Sequence, residues 1–124
     1  MLSRRIVAWG VPLAVLAACT PAQQEGEALT SANASPFVGK WRGIAKPGDH
    51  TTELVVNADG TVTFMYDNWS APLQSSRKVG QALVLRWFNQ GYSVVTVTRN
   101  PGSDTLAWAY SGRFGDKTST LSKV

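Results

Sequence analysis

Thr51-Thr52-Glu53-Leu54-Val55-Val56-Asn57-Ala58-Asp59-Gly60-Thr61-Val62-Thr63-Phe64-Met65-Tyr66 reads as two short alternating runs around a turn. Side chains alternate across a strand, so Leu54 and Val56 share one face of the first run, and Val62, Phe64 and Tyr66 share one face of the second. Between the runs, Asn57-Ala58-Asp59-Gly60 ends in a glycine that accepts the positive φ of a short hairpin loop. Two apolar rows facing each other across one turn predict an antiparallel hairpin over residues 51–57 and 61–66, buried on one side.

The same pattern extends in both directions. Upstream, residues 37–44 form a first strand in which Gly39, Trp41 and Gly43 share a face, so the Trp41 indole points into the core between close backbone. Downstream, strands over 82–88, 92–99 and 105–110 are punctuated by Asn89-Gln90-Gly91 and Asn100-Pro101-Gly102-Ser103. Leu83, Leu85 and Trp87 share one face, as do Leu106, Trp108 and Tyr110. Lys40, Arg42 and Arg86 fall on faces opposite the tryptophans and read as exterior charges. Residues 67–76 read as a polar loop, and a last strand over 118–124 can close the sheet against the first. The expected fold class is all-β: a small antiparallel meander barrel of about seven to eight strands in one domain, residues 37–124.

The amino-terminal third has a different character. Ser3-Arg4-Arg5 gives a positive start, an apolar run follows from Ile6 to Ala18, and small residues precede Cys19. The run is shorter than the ~20 residues a bilayer-spanning helix needs, and Pro12 interrupts it. Residues 1–18 therefore read as a signal peptide. Residues 19–36 read as a disordered tether, because from Thr20 to Pro36 Leu29 is the one large aliphatic residue and too little surface is available to bury. A coil of that length spans about 20 to 25 Å. It serves as a spacer, or else Ala32 to Pro36 presents an extended peptide to a partner.

Leu16-Ala17-Ala18-Cys19 resembles the lipobox of bacterial lipoproteins. That resemblance implies cleavage before Cys19, acylation of its thiol, and a lipid-anchored chain at the cell envelope whose membrane partner is reached through Cys19. Thr20, which is not the aspartate associated with inner-membrane retention, implies an outer-membrane location facing the periplasm. Gly39-Lys40-Trp41 looks like the opening of lipocalin-like and avidin-like barrels, and Tyr110-Ser111-Gly112-Arg113-Phe114 extends the avidin likeness. Arg42-Gly43-Ile44 does not match the polar residues by which the avidin family holds biotin.

Composition removes several function classes. Of twelve Lys and Arg, Arg4 and Arg5 lie in the signal, leaving ten against eight Asp and Glu with no basic run, so nucleic acid is not an expected partner. Cys19 is the one cysteine, which rules out an intramolecular disulfide. His50 stands alone beside Lys46-Pro47-Gly48-Asp49 and reads as a solvated loop residue, not part of a metal set. No nucleophile elbow or phosphate-cradling glycine loop is present, and no cofactor is expected. Trp69, in the polar stretch Asp67-Asn68-Trp69-Ser70, reads as a contact residue or a barrel-mouth plug. The expected role is a non-enzymatic binding module for a small apolar or amphipathic ligand, with Tyr66, Asn68 and Trp69 as the candidate site. The alternative is a protein-interaction module such as a periplasmic protease inhibitor, since one inhibitor family consists of small lipocalin-like barrels. This chain lacks that family's usual cysteine pair.

Overall fold

A computed structural model describes residues 26–124. They form a single ten-stranded antiparallel sheet curled on itself, in the order β1-β6-β7-β8-β9-β10-β2-β3-β4-β5. The strands are β1 Glu27–Ala28, β2 Gly39–Ala45, β3 His50–Val56, β4 Val62–Tyr66, β5 Trp69–Ser70, β6 Ser75–Val79, β7 Ala82–Phe88, β8 Tyr92–Arg99, β9 Thr105–Gly112 and β10 Lys117–Lys123. Residues 1–25, where the signal peptide and the lipidated Cys19 are expected, lie outside the described residues.

Seven of these strands follow from alternation. Leu54 faces Phe64 across the β3–β4 hairpin, and Val56 faces Val62, with Gly60 at φ 95 in the turn. The Asp59 carboxylate accepts from the Thr61 amide at 3.0 Å and its hydroxyl at 2.7 Å, which satisfies the turn locally. Strand β10 pairs with β2, joining the last strand to the first long one. Trp41, Leu54, Phe64, Leu85, Leu106 and Trp108 meet in one core, each at most 1% exposed. The Trp41 indole N–H donates to the Phe37 carbonyl at 2.8 Å, and the Lys123 ammonium lies 5.1 Å from its ring centroid. Lys40 and Arg42 do face outward, where both meet Glu53, at 3.7 and 2.8 Å. Arg86 is only half-exposed.

Three expectations need correction. First, residues 67–76 are not one loop: Asp67-Asn68 make a tight turn into β5, and Ser75–Val79 is a strand paired with β7. Ser75-Ser76-Arg77-Lys78-Val79 has no apolar row, so what holds β6 is its backbone ladder and not a buried face. Second, residues 26–36 are not free tether. Glu27 and Ala28 pair with Lys78 and Arg77, the Leu29 amide donates to the Ser76 carbonyl at 3.1 Å, and Leu29 and Ala34 are buried. A turn closed by the Thr30 amide on Asn33 Oδ1 at 2.8 Å leads into a short 3-10 turn, Ser35–Phe37, so Ala32 to Pro36 is not an extended peptide. Third, the sheet is a half-barrel, with β5 and β1 as its outermost strands. The chain itself crosses the remaining seam between β4 and β7: the Ala71 amide reaches the Phe64 carbonyl at 2.9 Å and the Gln74 amide reaches the Arg86 carbonyl at 2.8 Å. Leu29 and Thr30 fill the seam lower down, so close to Gly60 that a Cβ there would lie 2.6 Å from Thr30 Cα.

The two ends of the half-barrel therefore differ. One end holds the β3–β4 and β8–β9 turns and is sealed by Phe37, with Arg99 donating to the Pro36 carbonyl at 2.8 Å. The other holds the β2–β3, β4–β5, β7–β8 and β9–β10 connections and stays open.

Candidate functional site

At the open end the inward-facing positions change from aliphatic to aromatic and polar. On β3 the inward series Val56, Leu54, Thr52 ends in His50, and on β4 Phe64 is followed by Tyr66. On β9 it ends in Tyr110, and on β10 the series Leu121, Ser119 ends in Lys117. Alternation thus delivers a ring of polar-tipped side chains to the mouth.

Below the ring the aromatic groups stack into a floor. Phe64 lies 5.7 Å from Trp87 and 5.8 Å from Trp108, and Trp87 lies 6.0 Å from Tyr110, separations at which rings attract. Tyr110 is fixed by its hydroxyl, 2.9 Å from Ser93 Oγ deep in the wall. Above the floor is a narrow throat of about 40 Å³, bordered by Tyr66, Trp69, Trp87, Ser93 and Tyr110. It opens into a wide bowl of about 820 Å³ between His50, Tyr66, Trp69, Asn89, Phe114 and Lys117.

Tyr66, Asn68 and Trp69 all line this bowl. Trp69 sits on its rim, 39% exposed, with its ring 6.3 Å from that of Trp87. His50 is not a loop residue: it opens β3, pairs across to Ala45, and stacks on Tyr66 with ring centroids 4.9 Å apart. Its Nδ1 is 2.9 Å from Asp67 Oδ2, while Asp67 Oδ1 accepts the Thr51 amide at 3.0 Å. The His50 hydrogen bond, aided by the Thr51 amide, holds the Asp67 carboxyl below the usual carboxylate range. Asp67 has φ 54, a conformation that aspartate tolerates, and this lets the chain reverse while its carboxylate turns back onto β3.

The Tyr66 hydroxyl is buried and has no hydrogen-bond partner among the described residues. Burial, then the Asp67 charge, raises its pKa, so at neutral pH it is an O–H donor with nothing to donate to. Lys117 donates to the Pro47 carbonyl at 3.0 Å and borders both throat and bowl. Three site residues escape a reading based on loops: His50, Lys117 and Phe114. Counting inward by twos from Leu54 and Leu121 reaches the first two, whereas Phe114, in the turn after β9, carries no periodic signal.

Among the described residues no group of three or more His, Cys, Asp or Glu could hold a metal ion. No family model, curated protein or solved structure matches this chain.

Proposed function

We propose that the protein is a non-enzymatic binding module that takes a small apolar or amphipathic ligand at its open end, and that a lipid on Cys19 holds it at the cell envelope. The aromatic bowl carries this reading: a concavity in the size range of small-molecule sites, with a few convergent polar groups and one buried unpaired donor at its base. The remainder of the half-barrel is filled by its own side chains, so the ligand rests in the mouth and does not enter the core. The signal-like start, the lipobox-like Leu16-Ala17-Ala18-Cys19 and Thr20 after it support an outer-membrane, periplasm-facing location as part of the same proposal.

The test is mass spectrometry of the chain extracted in mild detergent from its own membrane. The denatured mass should equal residues 19–124 plus acyl chains, and the native mass should exceed it by a discrete small-molecule increment. An uncut or unmodified chain sinks the anchor, and a bare native mass argues against a tightly held ligand.

A protein-interaction role, such as protease inhibition, draws on a different surface. Phe88 and Tyr92 cross at the tip of the β7–β8 hairpin with ring centroids 5.0 Å apart, and they are 50% and 74% exposed. Exposed aromatics of this kind are enriched where proteins meet. The leading segment from Ala34 to Phe37 cannot be the inserting element in such a role, because Ala34 and Phe37 are buried and Pro36 is held by Arg99.

A further inference from the structure

We infer that the bowl selects flat aromatic carboxylates, with the ring against Trp69 and Phe114 and the acid group directed down to the Tyr66 hydroxyl and the Lys117 ammonium. The inference rests on the ligand-binding reading above and names the ligand class.

Shape gives the first half. The bowl is walled by the rings of Tyr66, Trp69 and Phe114, and Phe114 is 61% exposed on the rim, so a planar apolar body gains stacking area there. The throat beneath, about 40 Å³, admits about two or three water molecules or one small polar group, and no ring. A ligand that fills both spaces is therefore a flat body with a compact head.

Charge gives the second half. The head meets Tyr66 and Lys117, both of which border the throat. The buried hydroxyl needs an acceptor. Lys117 carries three N–H donors; one goes to the Pro47 carbonyl, and among the described residues no carboxylate lies within ion-pair distance of it. Asp67, which lines the bowl but not the throat, has one oxygen engaged by His50 and the other by the Thr51 amide. Lys117 is the one charged residue among those that border the throat. Two residues that carry donors, one of them cationic, thus border a space the size of a carboxylate.

The test is calorimetric titration of the full chain in non-ionic detergent with three probes on one ring system: naphthalene-1-acetate, its neutral amide naphthalene-1-acetamide, and the cation 1-naphthylmethylamine, each against a detergent blank. The acetate should bind about tenfold tighter than the amide, and the amine should bind weakest. Lys117→Met should bring the acetate down to the level of the amide, and Tyr66→Phe should weaken the acetate about tenfold. Equal binding of acetate and amide, or tighter binding of the amine, overturns the carboxylate while leaving a ligand module in place; failure of all three probes overturns both. Should either variant fail to fold, the probe ranking on the unaltered chain still decides. Proton NOEs from the bound acetate must then reach the Trp69 ring and the Lys117 methylenes, and their absence refutes the placement.

Discussion

Leu29→Ala separates a folded strap from a tether. If residues 26–36 were a spacer, the substitution would change nothing. In the structure Leu29 is 9% exposed, its amide is bonded to Ser76, and it lies in the seam between β6 and the β3–β4 turn. Leucine-to-alanine changes at packed sites cost about 2 to 5 kcal/mol, and a site at the edge of the core belongs at the low end, about 2 kcal/mol. For a folded unit of about 100 residues that corresponds to a fall in Tm of about 8 to 16 °C. The assay is near-UV circular dichroism of the full chain on heating, with the exposed Ser31→Ala as control. Gly60→Val should act through the same contact, since Gly60 has φ 95 and a Cβ would meet Thr30 Cα at 2.6 Å and the Leu29 carbonyl oxygen at 2.8 Å. The double variant should therefore lose less than the sum of the two singles. A Tm change below about 2 °C for Leu29→Ala, or strict additivity with Gly60→Val, refutes the strap.

Trp41→Phe leaves the Phe37 carbonyl without its buried donor and opens space in the core, so urea unfolding should show a loss of at least about 2 kcal/mol. Trp69→Ala removes a rim residue; it should abolish naphthalene-1-acetate binding in calorimetry while moving Tm by about 4 °C at most. Asp67 carries the pH dependence of the mouth: its folded pKa is depressed, so its contribution to stability is present above the ordinary carboxylate range and is lost as pH falls through the depressed value. Tm measured between about pH 3 and 7 should accordingly fall less steeply on the acid side for Asp67→Asn than for the unaltered chain, and parallel curves would contradict the assignment.

How much of this was legible in the sequence depends on where the stabilising interactions lie. Strands that bury a row of side chains announce themselves: Leu54 and Val56 against Phe64 and Val62 mark one hairpin, and Leu83, Leu85 and Trp87 mark β7. The inward direction of Trp41 follows from the same alternation. Strand β6 does not announce itself, because its residues are all half-exposed and its stability comes from main-chain bonds to β7. The strap is invisible for a related reason: a single buried leucine and an alanine in a polar stretch fall below any compositional threshold for folding, yet suffice when a seam in a curled sheet awaits them. In the mouth, Tyr66, Asn68 and Trp69 stand next to each other in sequence and could be grouped by eye, whereas Lys117 joins them only through the register that sets it beside Tyr110.

The strap also constrains the proposed anchor. Gly26 lies against the Lys78 carbonyl, near the sealed end, and the Arg77 guanidinium donates to the Gly26 carbonyl at 2.6 Å. Seven peptide steps separate Cys19 from Gly26, and no conformation lets them span more than about 25 Å. With a lipid on Cys19, the first fixed point of the domain therefore stays within about 25 Å of the headgroups, and that point belongs to the end opposite the bowl. Under the proposed anchor, the sealed end is the end tied to the membrane and the aromatic mouth is the end farther from the point of attachment. The proposed ligand then has a path to the bowl from the aqueous side, which fits aromatic walls combined with a charged rim above a throat of about 40 Å³.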